Sequence, residues 1–280
     1  MVLLRGNGMD WKLMNSVLEI VAAAGASILE IYQSKNYDLY KKGDGSPLTC
    51  ADLSAHQIIS DGLQKLESTT PILSEESKEI SSKNRAFWER YWLVDPLDGT
   101  SEFLDGNGEF SVNVALIQSN RPIMGVVHLP VQGITYFGGS HAGAYKRDSL
   151  GQREINCRSV ASVSGGGHAM VVMMSRRHGD TKANELVEKI KRFIGPCEVK
   201  NVGSSIKICM IAEGKADLYP RLSTTCEWDT AAAQAVLEAA GGAILDQKMQ
   251  LLCYNTKTDL KNPFFYAIGD TTYDWRRILF

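Results

Sequence analysis

The spacing of apolar residues predicts two long helices in the first quarter of the chain. Apolar side chains recur every three or four positions between residues 10 and 33, and Asp10 is a candidate cap at the start. A second amphipathic segment covers 49–66. The stretch KKGDGSPLT between them predicts a loop, because it is rich in Gly and interrupted by Pro.

Short apolar runs separated by turn residues then predict a sheet. The predicted strands of the first half cover 71–73, 91–94, 111–117, 123–129, 134–137 and 143–147. Asn120-Arg121-Pro122 predicts a turn between two of them. We therefore expect the first half to be two helices packed on a mostly antiparallel sheet.

The second half alternates between strand and helix patterns. AMVVMM at 169–174 is a continuous apolar run, typical of a strand buried on both faces. Further strands are predicted at 198–202, 216–219 and 243–245, with helices at 181–193, from Gly203 onward and at 229–240. This alternation predicts an α/β fold. The Ser- and Gly-rich stretch 159–167 suggests a boundary between an N-terminal α+β domain (1–160) and a C-terminal α/β domain (161–280).

Composition narrows the class of protein. The 280 residues are 44% hydrophobic, enough for a sizeable core, and the net charge of −2 argues against binding polymeric nucleic acid. A small anionic substrate needs only a local basic patch and is not excluded. The six cysteines form no CxxC pair, which argues against zinc and favours a reducing cytosol. No signal peptide is evident and the apolar runs look too short for a bilayer, so we expect a cytoplasmic protein without a transmembrane segment.

The stretch WLVDPLDGTSEF, 92–103, carries the clearest chemistry. A buried-looking strand runs directly into Asp95 and Asp98, which Pro96 and Gly99 hold in a rigid turn. Two carboxylates this close repel each other unless they are paired or bind a cation. We therefore favour a metal site here.

Other acidic residues stand where a strand ends or a helix begins, namely Glu75-Glu76, Asp52 and Asp229. Taken singly, each is more simply a helix cap or a first-turn acid. Together with the Leu97 carbonyl they form an oxygen-only donor set, which Mg²⁺ prefers. Two such ions clamp a phosphoryl group and activate water, so the pattern favours phosphate ester hydrolysis.

Two motifs resemble the signatures of the inositol monophosphatase superfamily, the lithium-sensitive, Mg²⁺-dependent phosphatases. They are DPLDGT after an apolar strand and EWDTAAAQAVLEAAGG at 227–242. The resemblance covers nearly the whole chain from about residue 10 and implies a layered αβαβα sandwich. DGTSEF in place of DGTTNF, with strings such as LSEES, VGSSIKIC and LYPR, resembles the CysQ-type 3'(2'),5'-bisphosphate nucleotidase branch.

The resemblance implies roles for the acidic residues. Glu75, Asp95 and the Leu97 carbonyl would hold one Mg²⁺, while Asp95, Asp98 and Asp229 would hold a second, with two or three ions per site. The same groups, apart from Asp95, would border the bound substrate.

It also implies how water and phosphate are handled. Asp52 and Thr100 would orient and deprotonate the attacking water. Gly99, Thr100 and Ser101 would donate hydrogen bonds to the phosphate that is cleaved.

The implied substrate is adenosine 3',5'-bisphosphate, cleaved at the 3' position, with 3'-phosphoadenylyl sulfate as a second substrate and a role in sulfur assimilation. The candidate partners of the remaining 5' phosphate are Arg176, Ser204, Ser205, Lys207 and Arg221. Each is as readily a surface charge or a cap. His128 and His178 are candidates for contacts with adenine, although a structural role is commoner for a histidine.

Two alternative functions stay open, and the sequence argues against a third. An inositol or sugar phosphatase would need partners for ring hydroxyls in place of a second phosphate site. A non-catalytic, metal-dependent nucleotide sensor would be expected to lack the Asp52–Thr100 pair, which is present. A Rossmann dehydrogenase lacks the required motif, because GGGH at 165–168 precedes its strand. The departures from the family pattern, such as SRRH at 175–178 and Cys226-Glu227, bear on fine specificity and not on the chemistry. The resemblance also allows association with the inner face of the membrane.

Overall fold

The computed structural model describes residues 10–35, 39–41, 47–77, 80–164, 169–176 and 181–280. Helices α1 (Trp11–Ser34) and α2 (Cys50–Leu66) form where the apolar spacing predicts them. Asp10 caps α1 by accepting hydrogen bonds from the backbone N–H groups of Lys12 and Leu13. The short antiparallel strands β1 (Leu39–Lys41) and β2 (Pro47–Thr49) lie between the two helices in the chain.

A seven-stranded sheet follows, in strand order β3 to β9. Its strands are β3 (Ile72–Ser74), β4 (Arg90–Asp98), β5 (Ser111–Gln118), β6 (Arg121–Leu129), β7 (Ile134–Gly139), β8 (Gly143–Asp148) and β9 (Gly151–Ile155). All neighbours pair antiparallel except β3 and β4, which run parallel with Ser74 opposite Val94. The prediction of a mostly antiparallel sheet is confirmed, and β9 is an addition to it.

The second sheet has five strands in the order β11-β10-β12-β14-β13. They are β10 (Met170–Ser175), β11 (Cys197–Val202), β12 (Leu218–Arg221), β13 (Ala243–Asp246) and β14 (Phe265–Ile268). The β10 strand pairs parallel with both neighbours, as an α/β pattern predicts. The β14 strand is antiparallel to β12 and β13. Sequence reasoning missed β14 because four residues after a proline give too short a pattern.

Three separate hydrophobic cores show that the fold has five layers. One core joins α1 and α2 to the first sheet. A second fills the space between the two sheets around α7 (Ile206–Ala212) and α8 (Ala231–Ala239). A third joins the second sheet to α6 (Thr181–Phe193) and α9 (Arg276–Leu279). The expected αβαβα sandwich is confirmed.

Close packing in the middle layer places α8 directly against the first sheet. A Cβ atom added to Gly125 on β6 would lie 2.1 Å from the carbonyl oxygen of Ala232 on α8. Only a glycine allows this approach, so Gly125 fixes how deeply α8 sits between the sheets. The N-terminal end of α8 is thereby held near the strand that bears Asp95 and Asp98.

Two helix starts differ from the sequence prediction. Helix α7 begins at Ile206 in place of Gly203, and α8 is preceded by a 3₁₀ turn over Glu227–Asp229. Short helices α3 (Ser82–Arg85) and α5 (Val160–Ser164) were not predicted, while α4 (Thr100–Leu104) begins directly after Gly99, where a helix start suits the proposed phosphate donors. Part of the proposed boundary, 165–168, lies outside the described residues, so the division at residue 160 stays a prediction.

The apolarity of α1 corrects one expectation. Among the described residues, this 24-residue helix is long and apolar enough to cross a membrane by length and composition. The judgement that every apolar run is too short was therefore wrong for α1. Its stripe from Met14 to Ile28 packs into the core beside α2 and the first sheet, which accounts for the apolar composition.

Candidate active site

A β-bulge explains how the two aspartates of the DPLDG turn reach the same side of the sheet. Residues three apart on a regular strand point to opposite faces. Here Asp95 lies opposite Asn113 and Asp98 lies opposite Ser111, so β4 has one residue more than β5 over this stretch. Since Ser111 and Asn113 are two apart, both aspartates face the middle layer. Pro96, which cannot donate to the ladder, sits inside the bulge.

Asp52 and Thr100 meet although 48 residues separate them in the chain. The Thr100 hydroxyl donates to Asp52 Oδ1 at 3.2 Å and also lies 3.3 Å from the Leu97 carbonyl oxygen. Asp52 Oδ2 accepts from the Thr49 backbone N–H (2.8 Å) and the Thr49 hydroxyl (2.6 Å). Asp52 thus caps α2, as its position suggests, while its other oxygen faces Thr100.

Asp98 and Asp229, from the two halves of the chain, lie close enough to influence each other electrostatically. Burial raises the pKa of Asp98 to about 6, and Lys207 only partly offsets this. Burial and then the charge of Asp98 raise the pKa of Asp229 well above its ordinary value. Glu75 adds repulsion to both. The three carboxylates therefore form a negative cluster that a cation would stabilise.

The carboxylates fit a hard cation chemically, although they are oriented towards neighbouring backbone groups. Across the part of the chain that the structure describes, no three acidic, histidine or cysteine side chains already converge to enclose an ion. Asp95 accepts from Leu97 N–H (3.1 Å), Asp98 from Ser205 N–H (2.6 Å) and Asp229 from Cys226 N–H (2.8 Å). The donors on offer are carboxylate and carbonyl oxygens, which suit Mg²⁺.

A cleft of about 210 Å³ opens in front of Asp98 and Asp229. Helix α4 borders it: Gly99 precedes the helix with a φ of +94°, and the Phe103 N–H is the first to bond back, to Gly99 O at 2.9 Å. The N–H groups of Thr100 and Ser101 therefore lie ahead of this first bond, at the end of a helix that favours an anion. Residues from α4, the 203–205 loop, α7 and β12 line the cleft, including Ser101, Ser204, Lys207, Tyr219 and Arg221.

Residues of both sequence motifs line this cleft, Asp98 from the first and Asp229 from the second. The model of the inositol monophosphatase family matches residues 12–267. The chain belongs to this family. The superfamily expected from the DPLDGT and EWDTAAAQAVLEAAGG motifs is thereby confirmed.

Individual members of the inositol monophosphatase family resemble the chain along most of its length. The 3'(2'),5'-bisphosphate nucleotidase CysQ of Escherichia coli K12 is 39% identical over 254 residues, which is 90% of this chain and 98% of that protein. The protein of the same name from Haemophilus influenzae is 37% identical, covering 95% of this chain and 96% of that one. The crystal structure of CysQ from Bacteroides thetaiotaomicron superimposes with a TM-score of 0.79 at 37% identity, covering 91% and 96% of the two chains. The expected resemblance to the CysQ branch is confirmed.

Arg221 is the best placed of the predicted 5'-phosphate partners. It lines the cleft and donates to the Tyr219 hydroxyl (3.3 Å) and the Thr224 carbonyl (3.2 Å). Its Nε is buried and has no hydrogen-bond partner among the described residues. A buried, unpartnered guanidinium nitrogen is costly, and an anion in the cleft would satisfy it.

Lys207 shapes the 203–205 loop and does not extend freely into the cleft. Its ammonium donates to the carbonyl oxygens of Val202 (3.0 Å) and Ser204 (2.6 Å) and lies 5.1 Å from the centre of the Tyr219 ring. Burial lowers the pKa of Lys207 to about 8, which the negative charge of Asp98 opposes. Lys207 therefore supplies positive potential at the cleft wall and fixes the loop that carries Ser204.

Ser205 joins the 203–205 loop to the first sheet and also lines the cleft, so its assignment as a phosphate partner stays a prediction. It is 3% exposed, and its hydroxyl donates to Asn113 Oδ1 at 2.7 Å and lies 2.9 Å from the Ser111 hydroxyl. Its backbone N–H donates to Asp98. Both polar groups are thus used to dock the loop onto the first sheet. Ser204, half-exposed and lining the cleft, remains available to a ligand.

Arg176 is paired with an acidic residue, and its assignment as a phosphate partner stays a prediction. Its exposed guanidinium makes a two-pronged pair with Glu109, with Nε–Oε2 at 3.0 Å and Nη2–Oε1 at 2.5 Å. Glu109 in turn accepts from the Gly203 N–H at 2.8 Å. Arg176 therefore braces the loop through Glu109, and it does not line the cleft described here.

His128 cannot contact a base in the cleft. It lies opposite Val112 on the sheet, and paired residues share a face, so it belongs to the face covered by α1. A Cβ on Gly25 of α1 would lie 2.4 Å from the His128 ring. His178 lies outside the described residues.

Sequence reasoning missed several polar residues that line the cleft. They are Glu102, Ser175, Thr225 and Thr230. Thr225 and Thr230 lie close to Asp229 in the chain, so they could have been predicted from their proximity to a candidate metal ligand. Ser175 ends β10, and the carboxyl ends of parallel strands commonly carry site residues.

Proposed function

We propose that the protein is a Mg²⁺-dependent phosphatase that removes the 3' phosphate of adenosine 3',5'-bisphosphate, yielding AMP and inorganic phosphate. The observation that supports this most is the contact of Thr100 with Asp52 beside the bulge that places Asp95 and Asp98 on the same face of the sheet. Curated relatives at 37–39% identity carry the name 3'(2'),5'-bisphosphate nucleotidase, which supports the choice of substrate.

The oxygen donors around the bulge would hold the metal. Glu75, Asp95 and the Leu97 carbonyl are the proposed ligands of one Mg²⁺, and Asp98 and Asp229 join Asp95 at a second. Mg²⁺ bound there would neutralise negative charge on the phosphoryl oxygens and favour ionisation of the attacking water. The raised pKa values of Asp98 and Asp229 support the proposal, because burial and neighbouring negative charge raise them and a bound cation would offset both effects.

Thr100 and Asp52 would position the water and receive its proton. The Thr100 hydroxyl directs its own hydrogen towards Asp52 Oδ1, which leaves an oxygen lone pair free to accept a hydrogen from water. Two hydrogen bonds from Thr49 to Oδ2 hold the Asp52 carboxylate in this orientation. The water oxygen forms a bond to phosphorus, the bond from phosphorus to the ribose 3' oxygen breaks, and that oxygen takes a proton.

The phosphate that is cleaved would lie at the start of α4. The N–H groups of Thr100 and Ser101 point out of the first turn, and Gly99 supplies the left-handed backbone that brings this turn to the cleft. Donors fixed before the reaction stabilise developing charge without reorganisation.

The second phosphate would bind at the far wall of the cleft. Arg221, with its unpartnered Nε, and the half-exposed Ser204 are the proposed partners, with Lys207 adding positive potential. Adenosine 3'-phosphate lacks this second anion, so it should bind more weakly than the bisphosphate. The same reasoning admits 3'-phosphoadenylyl sulfate as a second substrate.

The free thiols support a reducing compartment. All six cysteines lie within the described residues and none forms a disulfide. We propose a cytoplasmic enzyme that clears a nucleotide by-product of sulfur assimilation.

The direct test compares phosphate release from adenosine 3',5'-bisphosphate and inositol 1-phosphate, with Mg²⁺ and with or without lithium. We expect strong preference for the bisphosphate and inhibition by lithium. Preference for the inositol ester would retain the metal site and refute the substrate. Release from neither would favour a metal-dependent nucleotide sensor.

A further inference from the structure

Residues 254–262, which we call the strap, form hydrogen bonds with the segment that carries Asp229. Asp229 ends the 3₁₀ turn Glu227–Asp229, which has little regular structure of its own before α8 begins. Cys226, just ahead of the turn, pairs with Lys261, and the Glu227 N–H donates to the Leu260 carbonyl at 2.8 Å. The direction of the Asp229 side chain therefore depends on a segment more than twenty residues further along the chain.

Asn262 makes four hydrogen bonds, all to the segment 225–230. Its side-chain amide donates to the Cys226 carbonyl at 2.6 Å, to Thr230 Oγ1 at 3.0 Å and to Thr225 Oγ1 at 3.1 Å. Its backbone N–H donates to the Thr225 carbonyl at 2.8 Å. Asn262 is 8% exposed, so water does not readily replace these bonds.

These bonds fix the two peptide groups on either side of Cys226. The first contains the Thr225 carbonyl, which Asn262 N–H holds, and the Cys226 N–H, which donates to Asp229 Oδ2 at 2.8 Å. The second contains the Cys226 carbonyl, which the Asn262 amide holds. A rotation of the first peptide would turn the N–H that anchors the Asp229 carboxylate, and a rotation of the second would displace the start of the turn that carries Asp229.

The far end of the turn is fixed by the same amide. Thr230 Oγ1, which accepts from Asn262, also donates to the Glu227 carbonyl at 3.2 Å and lies 3.2 Å from the Tyr254 hydroxyl. The Tyr254 hydroxyl donates to Gln234 Oε1 at 2.5 Å. Residues before and after Asp229 are thus tied to one side chain.

We propose that Asn262 is a positioning residue that sets the direction of the Asp229 carboxylate and so the affinity of the metal site. It touches neither substrate nor reacting atoms, and it acts through the Cys226 peptides and Thr230. The inference rests on the proposed function, in which Asp229 is a metal ligand. It predicts that loss of the amide weakens metal binding much more than it lowers turnover at saturating metal.

The test uses Asn262→Ala with the full-length protein and measures binding of Mn²⁺ alone through the loss of its free-ion magnetic resonance signal. Mn²⁺ accepts the same oxygen ligands as Mg²⁺. We expect at least one class of Mn²⁺ site to weaken tenfold or more. The Mg²⁺ concentration for half-maximal phosphate release should rise by a similar factor, while kcat at saturating Mg²⁺ stays within about threefold.

Asp270→Ala is the matched control. Asp270 lies in the same half of the chain and accepts three hydrogen bonds, from the Val160 N–H and from the N–H and hydroxyl of Thr272. The Asp270→Ala variant should lose about as much stability in urea as Asn262→Ala and should keep its affinity for Mn²⁺. If Asn262→Ala does not fold, Asn262→Ser decides the question, because one short hydroxyl cannot replace two amide hydrogens.

The outcomes separate the inference from the proposed function. Unchanged Mn²⁺ affinity in the Asn262 variants, or an equal loss in Asp270→Ala, would overturn the positioning role alone. Absence of Mn²⁺ binding by the unaltered protein would overturn the metal site and this inference with it.

Discussion

Replacing Thr100 by alanine tests whether its contact with Asp52 serves the reaction. The change removes the hydroxyl that lies 3.2 Å from Asp52 Oδ1 and 3.3 Å from the Leu97 carbonyl. Asp52 keeps both bonds from Thr49, so its orientation and the cap of α2 should persist. The perturbation is therefore confined to the group proposed to hold the water.

The expected losses differ in size for catalysis and folding. A positioned acid–base group contributes about 10²- to 10⁴-fold, so we expect kcat to fall by about 100-fold or more, or about 2.7 kcal/mol in the barrier. Thr100 is only half-buried, and its hydroxyl has a single hydrogen for two acceptors at long distances, so it should contribute about 1 kcal/mol to stability. Catalysis should thus suffer more than folding.

The assay measures kcat for adenosine 3',5'-bisphosphate over a range of Mg²⁺ concentrations, with urea unfolding in parallel. Thr100→Ser is the matched control, because it keeps the hydroxyl and loses only a methyl group. We expect it to retain at least a tenth of the activity. A Thr100→Ala enzyme that only needs more Mg²⁺, or a serine variant as impaired as the alanine variant, would refute the proposed role.

Three further changes separate binding from structure. Arg221→Gln should raise KM for the bisphosphate about tenfold or more and leave KM for adenosine 3'-phosphate nearly unchanged; equal effects would argue against a 5'-phosphate site there. Ser205→Ala should cost about 1–3 kcal/mol in urea unfolding, because Asn113 Oδ1 loses a buried donor, while KM changes less than twofold. Burial lowers the pKa of His128 to about 4, so the unfolded chain takes up a proton below pH 6.5 that the folded protein refuses. Stability should therefore fall by about 2 kcal/mol between pH 7 and pH 5, and His128→Gln should lack this part of the fall; an identical pH profile in the variant would contradict it.

The bulge on β4 shows what the sequence could and could not reveal about the site. Pro96 and Gly99 around two aspartates predicted a special turn, and the turn is present. The sequence could not reveal that an extra residue places Asp95 and Asp98 on the same face, because that depends on pairing with β5. Local composition predicts that a strand is irregular, whereas the partner strand decides where its side chains point.

The basic and hydroxyl residues near the cleft show a different limit. Arg176, Ser205 and Lys207 have the right chemistry for a phosphate, yet their donors are directed to Glu109, Asn113 and loop carbonyls. Each of these contacts spans at least one turn or joins distant strands. Sequence pattern carries no record of such pairings, so donor type alone does not reveal which donors already have partners within the protein.

Asn262 shows that sequence pattern can also miss a residue that matters to the site. It stands in KNPFF, a stretch without periodicity, and its partners lie more than thirty residues earlier in the chain. The two long helices and the order of the first strands were predictable because their apolar spacing is local and strong.

The most direct single measurement is product analysis after incubation of the purified protein with adenosine 3',5'-bisphosphate and Mg²⁺. Chromatography should show adenosine 5'-phosphate and inorganic phosphate accumulating in equal amounts, and both should cease when EDTA removes the metal. Accumulation of adenosine 3'-phosphate, or hydrolysis that persists without metal, would contradict the proposed 3'-specific, metal-dependent reaction.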